Sequence, residues 1–266
     1  GPAGVAGVEL YRLVGSDLAL TGAGSVGYGG LTRSSLAMPE LVLREGKDEL
    51  QISPSSGSIA WDRTALALSW KTARISIRGE GAALDVQDLS FDTQLTNWRR
   101  GTGTVRLAID KYSTSYGSAQ GLEVQASVLE EGDRAAIVVV PRLASLETAG
   151  HKLRNVGLEL AVRGLDQASI DTLSAVAEDS GDFQNLTADE RRRAAQAMRK
   201  LLDRGFAITV SKLAAEIGEG ALTGDLQFEV RKSDEQGAAP FSIAKRITSA
   251  GKLTSTGKAL GAMQTR

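Results

Sequence analysis

The sequence predicts a mainly β fold of the α+β kind: a large antiparallel meander sheet, curled or folded on itself, with a two-helix insertion near residues 166–204. Three observations predict it. Apolar residues alternate with polar ones over most of the chain, which is the period of a half-buried strand. Turn signals rich in Gly, Asp and Glu separate these runs at hairpin distances. One stretch breaks the period, and it carries helix punctuation at both ends.

The strands come in order. Leu66, Leu68 and Trp70 share one face, and Ile75 and Ile77 follow. Val105, Leu107 and Ile109 form the next run, then Leu122, Val124, Ala126 and Val128. Val156, Leu158, Leu160 and Val162 form another, and Leu222, Gly224, Leu226, Phe228 and Val230 a late one. Ala136 to Val140 is apolar at every position, which predicts a central strand buried on both faces. Pro141 limits its ladder because proline has no N–H to donate. The expected turns are Glu80-Gly81, Gly117-Ser118, Glu131-Gly132-Asp133 and Gly218-Glu219-Gly220.

The helical pair is equally explicit. Asp166 caps a first helix with Ile170, Leu173 and Val176 on one side, ending near Asp179-Ser180-Gly181. Thr187 and Glu190 have the spacing of a capping box, and Gly205 supplies the second stop. Ala194, Met198, Leu201 and Leu202 fall at helical spacing between them, and strands resume at Phe206. From Phe241 to Gln264 no clean period emerges; the Ser, Thr and Gly content favours a strand with a frayed end.

Domain organisation follows. Residues 1–7 read as linker residues, with Gly1-Pro2 resembling a protease scar. Residues 8–260 read as one elongated β-rich domain: a β meander over 8–163, the helical pair over 164–205 and a β return over 206–260. Residues 261–266 form a tail.

Composition narrows the chemistry. Of 266 residues, 42% are apolar and only 5% aromatic, so the apolar face must be aliphatic. A net charge of -1 leaves no basic excess for general nucleic-acid binding. The absence of cysteine removes thiolate catalysis, disulfides and cysteine-ligated metals. No run approaches the roughly 18 apolar residues of a membrane span.

The remaining motifs read as structure. Gly22, Gly24 and Gly27 spell G-x-G-x-x-G, but Tyr28-Gly29-Gly30 discourages the helix a dinucleotide site needs, so a hairpin is expected. His151, the only histidine, sits in a turn-like segment and reads as solvated. Glu178, Asp179, Asp182, Asp189 and Glu190 lack the spacing of a calcium loop. Arg191-Arg192-Arg193 reads as an exposed helix face, with contact to phosphate or anionic lipid as the sharper reading. Glu130 and Glu131 are neighbours on opposite sides of a strand and cannot pair for acid–base work. Trp61, Trp70 and Trp98 read as half-buried packing residues. No catalytic residue, metal or cofactor is expected.

A geometric mismatch points to function. A dozen strands at about 4.8 Å make a sheet about 55–60 Å wide, whereas two helices of about 10 Å diameter cover about 20 Å. The rest of the dry face must close on itself as a sandwich or barrel, or stay open as a trough. Its candidate residues, as core face or apolar groove, are Val105, Leu107, Ile109, Leu122, Val124, Val128, Leu158, Leu160, Leu226 and Phe228.

From Trp98 to Val230 the chain resembles the YdgA-like family of bacterial envelope proteins. The matching phrases are Trp98 through Gly103-Thr104-Val105-Arg106-Leu107, and Gly121-Leu122-Glu123-Val124 with its Glu131-Gly132-Asp133 turn. Leu158-Glu159-Leu160 leading to Gly164-Leu165-Asp166, with Ile170 and Leu173, resembles that family's strand-to-helix junction. Leu201-Leu202-Asp203-Arg204-Gly205 and Gly220-Ala221-Leu222-Thr223-Gly224 resemble its return to the sheet. The resemblance implies a Gram-negative periplasmic location and an N-terminal inner-membrane anchor preceding this chain. It supplies no catalytic residues. The expected function is a non-catalytic envelope module that binds a partner protein or an acyl chain along the aliphatic face. The alternatives are an oligomerising structural protein and, third, a hydrolase built on His151 or a carboxylate pair.

Overall fold

The computed structural model describes residues 20–27, 30–80, 82–180, 186–233 and 244–256. The expected linker over 1–7, the tail over 261–266, Glu80-Gly81 at its glycine, and Asp182 lie wholly or partly outside them. The strands are β1 (Thr21–Val26), β2 (Thr32–Met38), β3 (Leu41–Glu45), β4 (Asp48–Ile52), β5 (Ser55–Trp61), β6 (Leu66–Gly79) and β7 (Ala82–Asn97). They continue as β8 (Thr102–Thr114), β9 (Gly117–Glu131), β10 (Arg134–Thr148) and β11 (His151–Asp166). Helices α1 (Gln167–Ser180) and α2 (Ala188–Arg204) follow, then β12 (Phe206–Ile217), β13 (Gly220–Val230) and β14 (Ile247–Thr256).

All fourteen strands belong to one antiparallel sheet with the order β1-β2-β5-β6-β7-β8-β9-β10-β11-β12-β13-β14. The β3–β4 hairpin leaves this path: β4 pairs with the second half of β6 while β5 pairs with its first half. Among the described residues β1 pairs only with β2 and β14 only with β13, so the sheet does not close into a barrel. Tight turns make the meander. Ala149 (φ 45) and Gly150 (φ 82) join β10 to β11 with both central residues left-handed, the geometry whose twist matches a two-residue hairpin. The β1–β2 segment is a hairpin, as its glycines predict.

Two local expectations are corrected. Gly117 and Ser118 are not the turn: Ser115 and Tyr116 are, and Gly117 opens β9. A glycine is needed there for close approach, because a Cβ would lie 2.5 Å from the Glu147 carbonyl. Nor is Ala136 to Val140 buried throughout, and Pro141 limits the ladder without ending the strand. β10 continues to Thr148, and Pro141 still faces Val124 of β9. Its effect is one-sided: the β11 ladder stops at Val139–Leu160 and resumes at Arg142–Gly157 in the same register. Of Ala136 to Val140, only Ala136 is fully buried.

A line of irregular positions crosses the sheet. Asp88 in β7 (φ 52), Gly121 in β9 (φ 63) and Asn155 in β11 (φ 49) are left-handed. Ladder pairing is skipped at Ala73–Asp88, Asp88–Asp110, Asp110–Gly121 and Ala144–Asn155, so the skipped positions align from strand to strand. A separate left-handed residue, Lys212 of β12 (φ 54), lies between the partners of Gly157 and Glu159, off this line, and is tied to Glu159 at 2.6 Å. Across this crease the apolar residues change parity. On β6, Leu66, Leu68 and Trp70 give way to Ile75 and Ile77; on β7, Leu89, Phe91 and Leu95 give way to Val86 and Leu84. A left-handed residue shifts side-chain alternation by one step, so the change in sequence phase matches a change in backbone phase. Beyond the crease an apolar row runs through Ile75, Val86, Tyr112, Ala119, Leu146 and Leu153.

The helical pair packs at one end of the sheet. Leu201 of α2 joins Ala135 and Leu165 in a buried cluster, with Ile137, Val162, Ile170 and Phe206 against it. The Asp166 carboxylate caps α1 by accepting from Ser169 N–H at 2.9 Å. Thr187 and Glu190 form the reciprocal capping box of α2, and Gly205 ends it.

Ala149 is the weak residue of its turn, because Asn adopts this backbone more readily. Ala149→Asn is expected to stabilise the protein by about 0.5–1 kcal/mol, read as a higher urea midpoint with unchanged slope. Gly121→Val is expected to cost about 3 kcal/mol: a Cβ there meets the Ala144 Cβ at 2.8 Å, and a β-branched residue resists φ +63.

Candidate functional site

Directly opposed residues of antiparallel strands point to the same face. Tracing them across the sheet yields rows that are apolar at every position but one, Thr93. One row runs Ile59, Leu68, Thr93, Val105, Ala126, Val139, Leu160, Val210 and Leu226. A second runs Trp70, Phe91, Leu107, Val124 and Pro141. A third runs Val128, Ile137, Val162, Ile208 and Phe228. A fourth, next to the crease, holds Leu89, Ile109 and Leu122. Nine of the ten residues named from the sequence therefore occupy four adjacent rows on one face. Leu158, the tenth, lies between Val156 and Leu160 on β11, beside a register shift toward β12.

The longest row crosses nine strands, about 38 Å at about 4.8 Å per strand. Four rows at about 6.8 Å per residue pair make the band about 20 Å wide. None of its aliphatic or aromatic residues is buried. Leu107 is 37%, Leu226 39% and Phe228 41% exposed. Of ten buried apolar residues among those described, seven lie in β10, β11 and the helices: Ala135, Ala136, Ala161, Leu165, Val176, Ala197 and Leu201. The two helices thus bury a local cluster that reaches Ile137 and Val162 of the third row and leave the other rows only partly buried. Away from Ala136, Val138 and Val140 of β10, the opposite face is largely polar and ion-paired, as in Arg106–Glu123 at 2.8 Å. That guanidinium holds the Glu123 carboxyl below its ordinary range, through its hydrogen bond first.

Phe91 and Leu89 were not legible as face residues, because β7 changes phase at Asp88 and so shows no unbroken alternation. The same applies to Val210 on β12, which changes phase at Lys212.

A polar cluster centred on Asp166 clasps the helices to the sheet. Asp166 is 1% exposed. Its carboxylate accepts from Ser169 N–H and from Ser169 Oγ at 2.6 Å, from Arg204, and from Lys200 at 3.3 Å. Burial pushes its pKa up, but the Ser169 hydrogen bonds, with Arg204 and Lys200, outweigh burial and bring it down to about 2. Arg204 also holds Asp133 in the β9–β10 turn. Arg134 donates to the Gly164 carbonyl, to Gly205 O at 3.0 Å and to Arg204 O at 3.1 Å, closing the junction where chain leaves and rejoins the sheet.

Other sequence motifs fall apart in space. His151 is exposed as the first residue of β11. Gly22 and Gly24 lie in β1, and the next element among the described residues is the strand β2. Among the described residues no group of three or more His, Asp or Glu side chains could hold a metal ion. No helix there is long and apolar enough to cross a membrane. Trp70 is half-buried and donates to Thr72 Oγ1 at 3.1 Å, whereas Trp61 and Trp98 are exposed, contrary to a packing role.

The fold and its site define a class: an open, single-layer antiparallel sheet with one aliphatic face and a helical pair clasped to one end. The chain belongs to a family of bacterial proteins of unknown function, DUF945, whose model matches residues 9–266. No curated protein and no solved structure matches it.

The clasp makes an acid-sensitive contribution. Asp166 has a folded pKa below its ordinary value, so its stabilisation is full above about pH 4 and is lost as pH falls toward 2. The expected size is about 2 kcal/mol. Asp166→Asn should destabilise the protein at pH 7 by about 3 kcal/mol, since it leaves Arg204 and Lys200 short of a partner. Urea titrations should show that difference shrinking steadily below pH 4.

Proposed function

We propose that this protein is a non-catalytic module of the bacterial envelope that binds acyl chains along the aliphatic rows of its sheet. The observation that carries the reading is a row over nine strands that is apolar at every position but Thr93, with Leu107, Leu226 and Phe228 of the same face more than a third exposed. The interior positions of the face have their backbone donors and acceptors engaged in the ladders on both sides. A ligand there gains by apolar contact alone, which suits a hydrocarbon chain needing no hydrogen bonds. The scarcity of aromatic residues supports a chain over a protein partner, whose hot spots favour Trp, Tyr and Arg.

The YdgA-like resemblance supports a periplasmic setting and tethering to the inner membrane. The cysteine-free composition suits an oxidising compartment.

A second reading, an oligomeric structural protein, draws on the sheet edges. β14 pairs on one side only among the described residues, and its Leu253 is 67% exposed. Such an edge is a template for another strand.

Native mass spectrometry of protein purified without detergent should detect bound lipid or fatty acid. Leu226→Asp and Phe228→Asp sit at exposed positions, so the fold should persist while a fluorescent fatty acid binds at least about tenfold more weakly, roughly the cost of placing a charge in an apolar contact. Absence of bound lipid together with undiminished probe binding by both variants would rule the reading out. Light scattering that reports a concentration-dependent oligomer would favour the second reading.

A further inference from the structure

The meander reverses at each hairpin, so the ends of β5, β7, β9 and β11 lie together at one end of the sheet. The helices share that end. Arg100, in the turn after β7, reaches Glu130 of β9 at 3.3 Å and Asp171 of α1 at 3.6 Å. Two tryptophans stand out to solvent there: Trp61 at the end of β5 is 41% exposed and Trp98 just after β7 is 45% exposed. Their turns are joined, because Trp98 N–H donates to the Thr64 carbonyl at 2.8 Å. An arginine accompanies each. Arg63 is exposed beside Trp61, and the Arg99 guanidinium stacks 5.3 Å from the centroid of the Trp98 ring.

The charges without an ion-pair partner at this end are positive in excess: four arginines against Asp62, whose carboxylate accepts from the Thr64 and Ala65 N–H groups, and Glu178. Glu130 and Asp171 are tied to Arg100, Asp133 to Arg204 and Asp189 to Arg192. Arg63, Arg99, Arg191 and Arg199 are exposed and form no ion pair among the described residues. On α2 the buried Ala197 and Leu201 define the inward side. At about 100° per residue, Arg192 and Arg199 then point outward and Arg191 lies within about a quarter turn of them.

We infer that this end of the sheet docks on an anionic membrane surface. Indole rings are amphipathic and settle at the headgroup level, which suits Trp61 and Trp98. Lipid phosphates complement the unpaired guanidinium groups of Arg63, Arg99, Arg191 and Arg199. The inference stands on the turn end and does not need the sheet face to hold an acyl chain.

Co-sedimentation of the full chain with vesicles tests it. Binding is expected to phosphatidylcholine vesicles that contain phosphatidylglycerol, weakening with added salt, and not to phosphatidylcholine alone. Each cation near such a surface contributes about 1 kcal/mol, so the pair Arg63→Gln and Arg99→Gln should weaken binding by on the order of 30-fold. Trp61→Phe with Trp98→Phe should abolish the blue shift of tryptophan emission on vesicle addition, leaving Trp70. Phe228→Asp, on the sheet face, should leave vesicle binding unchanged. Equal binding to both vesicle types, or no loss in the arginine pair, overturns the inference, and so does capture of an anionic protein surface with no vesicle binding at all.

Discussion

Everything in this protein depends on one backbone ladder that carries side-chain register from strand to strand across the sheet. A single-layer sheet has no second sheet to hold its register. Register is held instead by short turns and by each strand's hydrogen bonds to two neighbours. Because that register is kept, side chains far apart in sequence line up, and an aliphatic row forms from residues as distant as Ile59 and Leu226. Because the ladder of the described residues does not close on itself, the apolar side is not enclosed by a barrel.

The crease shows how the ladder tolerates irregularity. A lone left-handed residue would turn half a strand's apolar residues to the wrong side. Here Asp88, Gly121 and Asn155 sit in register with one another, so successive strands shift together. All three are types that accept this conformation. Lys212, left-handed in β12 away from that line, is held by Glu159.

The helical pair depends on the ladder in turn. Asp166 is the last residue of β11 and the cap of α1, so one carboxylate ends a strand, starts a helix and receives Arg204 from the end of α2. The basic and aromatic groups at the turn end are placed by the same meander, since alternate hairpins must fall on one side.

The strands with unbroken phase were legible from sequence: Val105 to Ile109, Leu122 to Val128 and Val156 to Val162 alternate because one side is apolar. So were both caps, which are local chemistry between residues three apart. β7 was not legible, because its phase changes at Asp88, and neither was the passage of β10 through Pro141, which the β9 ladder alone sustains. Sequence by itself determined the β-rich class, the helical interruption, its caps and the aliphatic character of the face, since each is set within a few residues. Only the tertiary structure decided that the sheet stays open, that the phase changes align in a crease, and that Trp61, Trp98 and the unpaired arginines share one end. Those outcomes depend on pairing between distant strands, and no local period encodes them.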